Sequence, residues 1–162
     1  MNRAATLFCM ISWLAAFAGC QQRTGAKDQT KNSQYKPSAT IKEKWHWGKA
    51  QKQNESAGYA QVVKAGNTLY ISGVPTADLS AKGVADVYRT LEKCLQAYGA
   101  TSKDVVKENL YTTDIEAMKK HNNPRKEFYK GDFPAATWVQ VSRLYEAEAK
   151  LEIELIAQVP AD

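Results

Sequence analysis

An uncharged apolar run from Ala4 to Gly19 opens the chain, a polar stretch without period follows, and short periodic segments begin at Ile41. Between Ile41 and Trp47 the alternation predicts a short strand with Trp45 and Trp47 on one face and His46 on the other. Tyr59–Ala65 and Thr68–Gly73 read as two strands joined at Gly66-Asn67, a two-residue hairpin signal, with Pro75 closing the second. Leu79–Tyr98 carries the helical period: Val84, Val87, Tyr88, Leu91, Cys94, Leu95 and Tyr98 step mostly by three and four. Asp78 or Ser80 suits its N-cap, Gly99 suits a left-handed C-terminal cap, and Gly83 weakens the first turn. Val105–Thr113 reads as a strand, and Asp114 caps a second helix running to about His121. Asn123-Pro124 interrupts that helix, because the residue before a proline avoids the α region, and Pro124 suits the first position of a fresh turn. Ala136–Leu144 and Lys150–Val159 are the last two strands. This order predicts an α+β domain over residues 41–162 with two helices packed on one face of a sheet. The opposite face then needs cover, for which self-association is the economical solution.

The first segment reads as an address. Residues 1–19 have the form of a secretory signal, with Arg3 ahead of the apolar run. The sequence Phe17-Ala18-Gly19-Cys20 resembles a bacterial lipobox, with Phe17 where leucine is usual, which makes Cys20 the expected lipidated N-terminus. An ordinary signal peptide and an uncleaved anchor helix are the alternatives, since an uncharged run of about 18 residues can just span a bilayer. Each places the rest of the chain outside the cytoplasm. The expected location is the bacterial cell envelope, on the periplasmic face of a membrane, with the outer membrane favoured. Residues 20–40 follow as a flexible tether too polar to offset the entropy of ordering. Of the cysteines, Cys9 lies in the leader and Cys20 takes lipid, so Cys94 has no partner for a disulfide and falls on the apolar stripe of the long helix as a core residue.

Charge sharpens this division. The chain carries a formal +5, but residues 21–52 hold eight basic and two acidic side chains, while residues 53–162 are net −2. The basicity belongs to the polar N-terminal part, and the domain lacks the broad positive footprint that a phosphate backbone requires. No nucleic-acid partner is expected. His46 and His121 are far apart in sequence and make no metal motif, so neither metal nor cofactor is expected.

Ordered blocks of residues 55–159 resemble the Rid superfamily, also called RidA/YjgF-like and often labelled endoribonuclease L-PSP. They are Gly58-Tyr59-Ala60-Gln61-Val62-Val63, Gly66 through Gly73, Ala97-Tyr98-Gly99-Ala100, and Asp104-Val105-Val106-Lys107. Thr112-Thr113-Asp114, Phe133-Pro134-Ala135 through Val141, and Leu151 through Ala157 complete the set. The resemblance implies a chorismate-mutase-like α+β fold with a mixed sheet. It also implies a homotrimer whose sheets build a barrel, with a small-molecule pocket in each cleft between subunits. It further implies ligand contacts from Tyr59, Ser72 and Gly73, and from Ala136, Thr137 and Trp138 on the penultimate strand, and it makes Glu152 the catalytic acid that positions water. Trp138 lies two residues after Ala136 and points to the same side, where it either narrows the pocket or packs in the core.

Well-studied members hydrolyse enamines and imines to 2-oxoacids, with an arginine two residues after the proline gripping the substrate carboxylate. Here that position is Ala136, and the guanidinium is gone. Glu152 and Glu154 share a strand face about 7 Å apart, a spacing open to acid/base work or to a solvated surface. The leading expectation is therefore a pocket that binds or acts on a small ligand with altered chemistry. An imine deaminase-type hydrolase and a non-catalytic trimeric scaffold stand as alternatives.

Overall fold

The computed structural model describes residues 41–48 and 53–160. The expected leader, the lipidation position Cys20 and the tether to residue 40 lie outside the described residues. A single six-stranded sheet organises the domain, in the order β1-β2-β3-β6-β4-β5. Its strands are β1 (Lys42–Trp45), β2 (Val62–Ala65), β3 (Thr68–Thr76), β4 (Val105–Thr112), β5 (Ala135–Gln140) and β6 (Leu151–Gln158). Every neighbouring pair is antiparallel except β4 and β5, so the sheet is mixed. A parallel pair needs a crossover. Here α2 (Ile115–Lys120) and α3 (Asn123–Tyr129) provide it, joining α1 (Ala81–Gln96) as the helices of the domain.

Strand alternation explains the layering. Leu151, Ile153, Leu155 and Ala157 of β6 are buried, and β3 and β4 present Leu69, Ile71, Val74, Glu108, Leu110 and Thr112 to the same face. Against it α1 packs Val84, Val87, Tyr88, Leu91, Cys94 and Leu95. Cys94 is fully buried, and that burial pushes its thiol up to about 12. Ser80 caps α1 by accepting from the Gly83 N–H, Asp114 caps α2 by accepting from Ala117, and Pro124 opens α3. Gly83 does more than weaken a turn. A Cβ there would run into the Asp78 backbone carbonyl, so the glycine lets the chain before α1 pass close to the helix. At the hairpin Gly66 takes φ +59°, the left-handed conformation that the tight turn requires.

Several boundaries differ from the sequence pattern. Pro75 does not close β3, which continues to Thr76. β2 pairs only as far as Ile71, so at Pro75 the strand has an open side and the missing N–H breaks no ladder there. β5 ends at Gln140 rather than Leu144, because its partner β4 stops at Thr112, the residue in register with Gln140. The first β2 residue is Val62, not Tyr59; Tyr59 instead closes a single bridge with Asn54. Among the described residues, no helix is long and apolar enough to cross a membrane.

Candidate functional site

The face of the sheet without helices carries the polar chemistry. Glu152 and Glu154 project from β6 beside Tyr111 and Asn109 of β4. Their environments separate them. Glu154 Oε1 accepts from Asn109 Nδ2 at 2.7 Å and from the Tyr111 hydroxyl at 3.2 Å. No described side chain donates to Glu152. Partial burial raises its carboxyl above the ordinary carboxylate range, and the charges of Glu154 and Glu146 add to that shift. A carboxylate with a raised pKa and no internal donor suits proton transfer better than its tied neighbour does.

Glu152 keeps its place through Gly73. A Cβ on Gly73 would overlap the Glu152 side chain, so only a glycine leaves the carboxyl room against β3. Next to it, the Ser72 hydroxyl donates to the Ala60 carbonyl at 2.8 Å, and Gln61 Nε2 donates to the Ser72 carbonyl at 2.8 Å. These bonds pin the Asn54–Gln61 segment to β3. Within the segment the Asn54 N–H donates to the Tyr59 carbonyl and the Ala57 N–H to Asn54 Oδ1. The Tyr59 ring stands edge-on to His46, with centroids 5.1 Å apart.

Tyr59, Ser72, Gly73 and Glu152 thus converge on one cavity of about 380 Å³, which Asn54, Glu146 and Tyr145 also line. Glu146 and Tyr145 lie in the irregular chain between β5 and β6, where no period marks them. Among the described residues that line the cavity, none is basic. Because the Ser72 hydroxyl spends its hydrogen on Ala60, its oxygen is left to accept, and Glu146 and Glu152 also accept. The site is matched to a ligand that donates.

Ala136, Thr137 and Trp138 lie on β5 and do not line this cavity within the chain. Thr137 faces the open side and accepts from Lys107 Nζ at 2.6 Å. Trp138 belongs to the helix side, packs against the core, and donates its indole N–H to Glu108 Oε1 at 3.2 Å. Core packing is therefore the alternative that the structure realises for Trp138. Its side chain faces that way because Leu110, its register partner on β4, faces the core. Glu108 itself is fully buried. It also accepts from Arg125 Nε at 2.7 Å and from the hydroxyls of Tyr129 and Tyr88 at 2.8 and 3.1 Å. Sequence reading missed this network, although Glu108 lies in phase with Leu110 and Thr112 on the core side of β4. Among the described residues, no group of three or more His, Cys, Asp or Glu side chains is arranged to hold a metal ion.

Comparison with known proteins agrees with this fold. Residues 50–159 match the family model described as Endoribonuclease L-PSP. The chain is 32% identical over 110 residues to the 2-iminobutanoate/2-iminopropanoate deaminase of Dermatophagoides farinae, covering 62% of this chain and 85% of that one. It is also 32% identical over 108 residues to the human protein of the same name, covering 61% of this chain and 78% of the other. Among solved structures, a YjgF-family member from Mycobacterium tuberculosis superposes with TM-score 0.64 at 26% identity, over 74% of this chain and 100% of that one.

Proposed function

Because the chain belongs to the Rid superfamily, whose family model is described as Endoribonuclease L-PSP, we propose that its cavity binds and acts on a small N–H-bearing ligand. The observation that carries this reading is the convergence of Tyr59, Ser72, Gly73 and Glu152 on one cavity whose described lining residues offer acceptors. In this reading Glu152 holds a water molecule against a carbon–nitrogen double bond. The water oxygen bonds to carbon as one of its protons passes through Glu152 to nitrogen. The second proton follows as the carbonyl forms and the carbon–nitrogen bond breaks, and ammonia or an amine leaves. A carboxyl whose pKa lies above the ordinary range is suited to both transfers. Ala136 offers no guanidinium, so the reaction departs from hydrolysis of carboxylate-bearing imines. A homotrimer closes the open side of the cavity with a neighbouring subunit, and lipid on Cys20 holds the assembly at the envelope.

A second reading is 2-imino acid deamination, supported by the names of the relatives at 32% identity. Imines generated with an amino-acid oxidase separate the two. Loss of several 2-imino acids at the uncatalysed rate excludes deamination, and recovery in Ala136→Arg shows that only the clamp is missing. For the first reading, thermal shift with small amines and with matched carboxylates is decisive. Amines stabilise the protein and Glu152→Gln abolishes the effect. A protein that no ligand stabilises is a scaffold, and the reading fails.

A further inference from the structure

A second cleft, of about 260 Å³, opens on the helix side of the sheet between α1 and α3. Ala85, Tyr88, Arg89 and Glu92 reach it from one face of α1, since they are spaced by three, four and seven residues. Pro124 and Phe128 reach it from α3. The Tyr88 and Phe128 rings make an aromatic floor, with centroids 5.0 Å apart and planes tilted by 35°. That floor is held in place, because the Tyr88 hydroxyl donates to the buried Glu108 at 3.1 Å. Ala85 and Pro124 are short, so the space beside the rings stays open.

Charged side chains of both signs surround this floor. Arg89 is paired with Asp86. Among the described residues, no hydrogen bond or ion pair engages Lys130, Glu92 or Glu127. Yet all three line the cleft, and Glu127 precedes Lys130 by only three residues. Lys130 also holds an uncommon backbone. It ends α3 at φ +51° and ψ +32°, and among the described residues it is the one non-glycine with a positive φ. Glycine is the usual residue at a left-handed helix end, because a side chain is strained there. A lysine kept in that conformation places an ammonium at the cleft which the turn itself does not need.

We propose that this cleft binds a small zwitterion carrying one aromatic ring, the class to which a free aromatic α-amino acid belongs. The ring packs on Tyr88 and Phe128, the carboxylate meets Lys130, and the ammonium meets Glu92 or Glu127. Charge complementarity selects this occupant. An anion alone would face two unpaired carboxylates, and a cation alone would face the Lys130 ammonium. Size points the same way, because the cleft falls just below the range of about 300–1,000 Å³ usual for drug-sized ligands and suits one ring with a charged head. The charges are exposed and screened by water, which places the affinity at about millimolar. The cleft lies on the helix side of the sheet and Glu152 on the other, so the proposal does not depend on the reaction assigned to that cavity.

The full chain, labelled with ¹⁵N, is titrated with L-phenylalanine. Separate titrations use 2-phenylethylamine and 3-phenylpropanoate, each of which lacks one of the two charges. The expected result is saturable shifts of the α1 and α3 amides around the cleft, half complete at about 1 mM phenylalanine. Each control binds about five-fold or more weakly. Lys130→Gly removes the ammonium and relieves the turn, so it melts no lower than the unaltered protein yet loses affinity for phenylalanine by about five-fold. Glu92→Gln/Glu127→Gln changes two exposed side chains without changing their shape and produces a similar loss. Glu152→Gln leaves the titration unaltered, which separates this site from the cavity across the sheet. Cleft amides unmoved at about 20 mM phenylalanine overturn the proposal. So do controls that bind as tightly as phenylalanine, or undiminished binding by Lys130→Gly. Cleft shifts that follow protein concentration instead of ligand would make a second copy the occupant and overturn it equally.

Discussion

At the scale of single residues, Glu152 and Gly73 form a unit. Partial burial and the neighbouring Glu154 and Glu146 raise the Glu152 carboxyl above its ordinary value of 4.5. The folded state therefore holds the proton more tightly than the unfolded chain, and stability falls as pH rises from the ordinary carboxylate range through the raised value. Glu152→Gln removes that penalty. It should raise the melting temperature at pH 7 and leave it unchanged near pH 4, as thermal unfolding across pH will show. Gly73→Ala acts on the same pair from the other side. The three atoms nearest its Cβ all belong to the Glu152 side chain, so the fold survives at a cost of about 1 kcal/mol while the carboxyl swings away. Ligand-induced thermal stabilisation should vanish although circular dichroism is unchanged. Tyr59, Ser72, Gly73 and Glu152 were named through the family resemblance, and the structure brings the four to one cavity. Glu146 was not, because the chain around it has no period to say which way it points. Arg125 was illegible for a related reason, since a helix of seven residues does not reveal its own rotation.

Elements were legible where periodicity is long and caps are explicit, as in α1, with Ser80 at its start and Gly99 at φ +69° beyond its end. They were misjudged where a neighbour decides, since β5 stops where β4 stops and β3 runs through Pro75 where β2 has ended. The Glu108 network belongs to this scale, because it ties α1, α3, β4 and β5 together through Tyr88, Arg125, Tyr129 and Trp138. Desolvation, with the Glu108 charge next, pushes both tyrosine hydroxyls up, so they remain donors at any physiological pH. Removing the charge of Glu108 alone strands a buried guanidinium. Glu108→Gln should cost about 3–5 kcal/mol in urea unfolding. The double variant Glu108→Gln/Arg125→Met keeps an acceptor for the tyrosines and removes the stranded charge. It should cost less than Glu108→Gln alone, and a strictly additive double variant would show that the ion pair carries no coupling energy.

For the whole molecule, the sheet's second face is the open question that its sequence already raised. Helices cover the side of Leu151, Ile153 and Leu155, while Val63 of β2, Tyr70 of β3 and Ile156 of β6 stand side by side in register on the other. Tyr70 is 49% exposed and is flanked by those two aliphatic side chains. An antiparallel face can meet water when its outward positions are polar. Here the row is apolar at its centre, and a second copy of the chain is the cover we propose. Tyr70→Glu tests this without touching the core, since the side chain already points away from it. Three like charges placed together at the centre of a trimer would repel one another across a desolvated interface, whereas the same charge on an exposed monomer face costs little. Native mass spectrometry should therefore find three chains in the unaltered protein and one in Tyr70→Glu, with the far-ultraviolet circular dichroism of the two superimposable. A monomeric unaltered protein, or a variant that keeps its trimer, would remove the barrel arrangement and with it the neighbouring subunit proposed to close the cavity around Glu152.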